Sequence, residues 1–166
     1  AWKAKAAALE FVCASIVRWP RPDEPFDAVV VLGSTHAFGN FTNTLREARK
    51  LLKPGGWLLV GEPCWRKEPD PKYLAELGVR AADGKRAAQL AFELEEAGWD
   101  VVRRHEVTEE AFDAYERAYA HNIEHFVHAN PADPESSWMR DRARKWADLH
   151  ARLGRQNMGF VVLLAR

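Results

Sequence analysis

The forty residues from Phe26 to Trp65, FDAVVVLGSTHAFGNFTNTLREARKLLKPGGWLLVGEPCW, constrain the fold more than any other part of the chain. Val29, Val30, Val31 and Leu32 form a continuous apolar run, the pattern of a strand covered on both faces. After Asn40, a residue type suited to an N-cap, Phe41, Leu45, Ala48 and Leu52 recur at helical spacing. Lys53-Pro54-Gly55-Gly56 predicts the helix end and a tight turn, and Trp57-Leu58-Leu59-Val60 a second buried strand. Strand, amphipathic helix and strand make a complete βαβ unit. Small and polar groups then gather past the carboxyl ends of both strands: Gly33, Ser34, Thr35 and His36 after the first, Glu62 after the second. Open parallel sheets bind ligands at that edge.

FDAVVVLGSTHAFG with LREARKLLKPGGWLLVGEPCW resembles the fourth- and fifth-strand region of class I S-adenosylmethionine-dependent methyltransferases, and the likeness runs on to the final apolar strand GFVVLLAR. The resemblance implies an α/β fold: a truncated doubly wound, Rossmann-like sheet with helices on both faces. It aligns residues 1–166 with a single domain lacking the first two strands, a stretch on the order of 60 residues. Trp2–Ala8 then corresponds to a helix tail and Leu9–Ala14 to the third strand. The family's glycine-rich cofactor loop and ribose-binding carboxylate have no counterpart here, since no G-x-G-x-G occurs. By resemblance the cofactor is S-adenosylmethionine, contacted by Ser15, Ile16, Gly33, Ser34 and Thr35, and held weakly or not at all. The reaction implied is methyl transfer to a small molecule.

Beyond Trp65 the segment RKEPDPKYLAELG reads as a charged, proline-punctuated loop. Ala87, Leu90, Ala91, Leu94 and Ala97 mark the buried face of a helix stopped by Gly98, and Trp99–Val102 opens a strand. Thr108 caps a further helix with an apolar stripe of Phe112, Tyr115, Tyr119, Ile123 and Phe126, broken at Asn130–Pro134. Asp133 as cap and Pro134 in the first turn begin a last helix, with Met139, Ala143, Trp146, Leu149 and Leu153 inward and Gly154 at its end. The two helices exceed what a crossover needs, and the resemblance makes residues 108–155 a helical cap over the substrate.

His36 directly follows a strand where an imidazole suits proton transfer, and Glu62 with Trp65 suits orientation of a substrate or capture of a cation. Each has a plainer reading as a loop residue bound to backbone or water. Phe38, Trp65, Tyr115 and Tyr119 are the candidate substrate contacts. Ser34-Thr35-His36 lacks the G-x-S-x-G elbow of a serine hydrolase. His121-Asn122-Ile123-Glu124-His125 matches the H-x-x-E-H string of one zinc peptidase class, so a zinc-dependent hydrolase using His121, Glu124 and His125 is the alternative enzyme. These histidines lie opposite the apolar stripe, which favours a solvated face. A non-catalytic, self-associating ligand-binding domain is the third reading.

The 24 basic and 24 acidic side chains cancel, which provides no global field for nucleic acid or an anionic membrane. No apolar run is long enough for a membrane helix. Two cysteines, Cys13 and Cys64, do not make a disulfide framework and suit a reducing, cytoplasmic setting. Finally, a sheet without its first strand would leave Ala28–Leu32 as an apolar edge, and a homodimer joined there is the expected remedy.

Overall fold

A computed structural model describes residues 10–20 and 23–166. The βαβ unit is present: β1 (Phe26–Leu32), a 3-10 turn (Thr35–Phe38), α1 (Phe41–Leu51) and β2 (Leu52–Trp65). Next come α2 (Pro71–Leu77), a second 3-10 turn (Ala81–Asp83), α3 (Ala87–Glu96) and β3 (Val101–Glu106). The long helices α4 (Glu109–Ala129) and α5 (Ser136–Leu149) lead through a π-helical turn (His150–Gly154) and α6 (Arg155–Asn157) into β4 (Met158–Ala165). The strands form one mixed sheet in the order β1-β2-β4-β3. β1 and β2 are parallel, paired from Ala28↔Trp57 to Leu32↔Gly61, as a helical crossover permits. β4 inserts antiparallel between β2 and β3.

Alternation along the strands decides where the core sits. Leu58, Val60, Val161 and Leu163 point to one face and are essentially inaccessible, packed against Leu45 and Ala48 of α1 and Leu90 and Leu94 of α3. Each such leucine or valine contributes about 1.5–3 kcal/mol by leaving water. Arg49 ties the two helices, donating to the carbonyls of Ala97 and Gly98 and lying 4.1 Å over the Trp99 ring. The other sheet face is half-open among the described residues: Val30 is 61% and Leu32 48% exposed. The unbroken apolar run Val29–Leu32 predicts cover on both faces, and among the described residues only one face has it.

Several local expectations change. Residues 10–14 form no strand, leaving the outer edge of β1 unpaired among the described residues, and Phe11 is 91% exposed. Leu9 and the helix expected over Trp2–Ala8 lie outside the described residues. Lys53–Gly56 does not separate two elements but bulges within β2, between the Phe26↔Leu52 and Ala28↔Trp57 pairs. The segment read as a loop after Trp65 contains α2, begun by Asp70 accepting the Lys72 N–H and by Pro71, and closed by Gly78 at φ 71°. The cap of α5 is Glu135, two residues beyond the expected Asp133, since the Asp133 carboxylate accepts from the Glu135 N–H within a turn. Gly154 does not stop that helix. It sits inside the π turn, where a Cβ would lie 3.1 Å from His150 Nδ1 and 3.4 Å from the Tyr73 hydroxyl.

The apolar stripe of α4 is displaced around the helix. Phe112, Glu116 and Val127 are the buried positions, while Tyr115 (62%), Tyr119 and Phe126 are exposed. Partnered polar groups win that inner face. Glu116 accepts from Trp146 Nε1 at 2.6 Å, and Asp113 meets His150 at 2.9 Å and Arg155 at 3.0 Å. No described helix is long and apolar enough to cross a membrane.

Candidate functional site

The loop after β1 is pinned from several sides. Gly33 turns the chain at φ 63°, a conformation that favours glycine, with its N–H on the Gly61 carbonyl of β2 at 2.9 Å. Thr35 is buried, and its carbonyl accepts from the Thr44 hydroxyl at 3.2 Å. Asn40 caps α1 by accepting from the Asn43 N–H at 2.8 Å. These contacts fix Ser34, Thr35, His36 and Phe38 at the carboxyl edge of β1.

The decisive contact joins the loop after β1 to β2, in which Glu62 lies within the strand opposite Val161, one residue past the Leu32↔Gly61 pair, and not beyond the strand's end as expected. The Thr35 hydroxyl donates to Glu62 Oε1 at 2.5 Å, so the half-buried carboxylate of β2 is oriented by the loop of β1. Two cavities flank this pair. One, of about 370 Å³, is lined by Ile16, Phe26, Ala28, Ser34 and Phe38 among others. The second, of about 300 Å³, is lined by Glu62, Cys64, Trp65, Leu77, Val79 and Met158 with Pro63, Asp83 and Gly84.

The second cavity is walled by anchored groups. Trp65 is 8% exposed, and its indole N–H donates to the Ala81 carbonyl at 2.9 Å. α2 is held by a two-pronged ion pair, Arg152 to Glu76 at 2.7 and 3.1 Å. Arg66 turns its guanidinium to the carbonyls of Met158 and Val107. Burial, helped by Glu106, pushes the Cys64 thiol up to about 11, so it supplies no thiolate at neutral pH. Burial likewise raises the Tyr73 phenol to about 12.

The expected site residues therefore separate. Ile16, Ser34 and Phe38 border the first cavity, Glu62 and Trp65 the second, and Thr35 bridges them. Ser15 is exposed, and its carbonyl closes a turn with the Arg18 and Trp19 N–H groups. His36 is exposed on the 3-10 turn and lines neither cavity. Tyr115 and Tyr119 stand on the outer face of α4, away from both cavities. Residues 108–155 line neither cavity; Leu77, Val79, Asp83 and Gly84 wall the second instead. Of these, Leu77 lies in RKEPDPKYLAELG, where Asp70-Pro71 and Gly78 signal a short helix, while Val79, Asp83 and Gly84 follow it with no local signal of their role. On α4, His121 and His125 are exposed and Glu124 is taken by Arg144 at 2.9 Å. Among the described residues no group of three or more metal-ligating side chains converges.

Comparison with known proteins agrees with this architecture. Residues 1–60 match the family model of a methyltransferase domain. The uncharacterized protein YjhP of Escherichia coli K12 is 31% identical over 120 residues, covering 71% of this chain and 48% of that protein. Its crystal structure superposes with a TM-score of 0.75 at 27% identity, over 87% of this chain and 60% of that one. The fatty-acid O-methyltransferase of Mycolicibacterium smegmatis is 42% identical over 82 residues, 45% of this chain and 30% of that enzyme. A S-adenosylmethionine-dependent methyltransferase from Geobacter sulfurreducens, solved with S-adenosylhomocysteine, shares the fold: TM-score 0.81, 23% identity, covering 97% of this chain and 65% of that one. The chain spans less than half the length of the curated relatives it matches. By the family model over residues 1–60, by its sequence relatives and by its fold, the chain is similar to S-adenosylmethionine-dependent methyltransferases.

Proposed function

We propose that this chain carries the acceptor side of a small-molecule methyltransferase that uses S-adenosylmethionine. The observation that carries the reading is the Thr35–Glu62 hydrogen bond, which orients one carboxylate of the second cavity at the carboxyl edge of the parallel pair, an edge that the first cavity, running along β1, reaches at Ser34 and Phe38. The first cavity suits a nucleoside, with apolar walls from Ile16 and Phe38 and a hydroxyl from Ser34. Bound there, S-adenosylmethionine would supply an electrophilic methyl group. The protein's own work is positioning: Thr35 fixes Glu62, Glu62 orients the acceptor, and Trp65 with Met158 keeps water from its apolar body.

Cofactor binding by these 166 residues alone is weak in this reading. Two charge-assisted hydrogen bonds, those of a glycine loop and a ribose carboxylate, correspond at about 1.5–3 kcal/mol each to roughly 10²–10⁴-fold in affinity. Calorimetric titration with S-adenosylhomocysteine should give saturable binding in the high-micromolar range or weaker, reduced further by Phe38→Ala. Submicromolar affinity contradicts the weakness, and binding indifferent to Phe38→Ala contradicts the place.

A further inference from the structure

Glu62 is a carboxylate without a cation. Its Oε1 takes the Thr35 hydroxyl, and among the described residues no lysine, arginine or histidine pairs with it. Three other carboxylates of the chain show the contrast. Asp83 meets Arg80 at 2.7 Å, Glu76 meets Arg152 at 2.7 Å, and Asp113 meets Arg155 at 3.0 Å. The arginine nearest in sequence, Arg66, is spent on two backbone carbonyls. A half-buried carboxylate beside Trp65, Leu77, Val79 and Met158 is costly unless a positive partner shares the cavity.

We infer that the second cavity takes its acceptor as an organic ammonium ion with an apolar body. The ammonium hydrogen-bonds the free oxygen of Glu62, and the apolar body fills the roughly 300 Å³ between α2 and the β4 entry. A charge-assisted bond of this kind selects an amine over a neutral alcohol of the same shape, and like charge turns away a carboxylate. Leu77 and Val79 provide an apolar wall that a small hydrophilic amine would leave uncovered. The inference rests on reading this edge as the acceptor side, yet it concerns binding alone and is tested without any methyl donor.

The test uses three probes of one shape and three charges: phenethylamine, phenethyl alcohol and phenylacetate, each titrated into the intact chain at pH 7 and followed by ligand-observed NMR. The amine should bind at least about tenfold more tightly than the alcohol, and phenylacetate more weakly than either. Glu62→Gln keeps an oxygen for the Thr35 hydroxyl and removes the charge, so it should erase the advantage of the amine and leave the alcohol unchanged. Equal binding of all three, preference for phenylacetate, undiminished amine binding in Glu62→Gln, or no binding at all each overturn the inference. A positive result here beside a failed S-adenosylhomocysteine titration would separate the amine site from the methyltransferase reading.

Discussion

Gly84→Ala should loosen the wall of the second cavity by a cost that can be worked from contacts. Gly84 has φ −120°, open to any residue, so only space is at issue. A Cβ there would lie 2.6 Å from Cε2 and Nε1 of Trp65 and 2.8 Å from Cζ2. The indole is not a flexible end that swings aside. It is buried, its N–H is on Ala81, the Trp65 N–H is on the Lys85 carbonyl at 2.8 Å, and Tyr73 meets it edge-on. The 3-10 turn must lift instead. Overpacking costs about 1–3 kcal/mol, and loss of the indole hydrogen bond about 0.5–1.5 kcal/mol. A central value of about 3 kcal/mol lowers Tm by roughly 6–12 °C for a domain of this size. Thermal unfolding read by circular dichroism and tryptophan fluorescence measures it. In a Trp65→Ala background the same substitution should cost less than about 1 kcal/mol, because the clashing ring is gone. A Gly84→Ala protein as stable as its parent, or an equal cost in both backgrounds, refutes the reasoning.

Leu94→Ala, at a site with no accessible surface between α3 and the sheet, should cost about 2–5 kcal/mol in denaturant unfolding. The Asp113 carboxyl is held below its ordinary 3.8 by its hydrogen bond to His150 and by the charges of Arg155 and Arg117. Its contribution to stability is present above that value and lost as pH falls through the lowered one, so Asp113→Asn should flatten the acid limb of the stability profile. β1 pairs with β2 on one side and with no described strand on the other, so the isolated chain should self-associate along that edge. Val30→Lys should weaken the association in light scattering, and a monomer at high concentration in the parent contradicts it. Replacing His121 and His125 by alanine should leave stability within about 0.5 kcal/mol with or without added zinc, since both are exposed.

Legibility in the sequence followed the strength of local signals. The βαβ unit was readable because its strands are continuous apolar runs and α1 has both a cap and a periodic face. α3 was readable for the same reason, with Leu90 and Leu94 on its inner side. The face of α4 was not, because aromatic size suggested burial, whereas Asp113 and Glu116 bury better once His150, Arg155 and Trp146 partner them. Those partners lie 30 or more residues away, beyond any local pattern. The Thr35–Glu62 bond is likewise a contact across 27 residues. Position at the strand ends singled out both residues, but only the fold shows that one orients the other. His36 drew attention by residue type and place, yet the 3-10 turn directs it outward to solvent.

The most direct test of the acceptor-side reading is an amide chemical-shift map of the ¹⁵N-labelled chain titrated with S-adenosylhomocysteine. The account predicts perturbations centred on Ile16 and on Gly33 to Phe38, extending to Glu62 through its bond to Thr35. Perturbations confined to α4 and α5, or no perturbation at millimolar ligand, would contradict it.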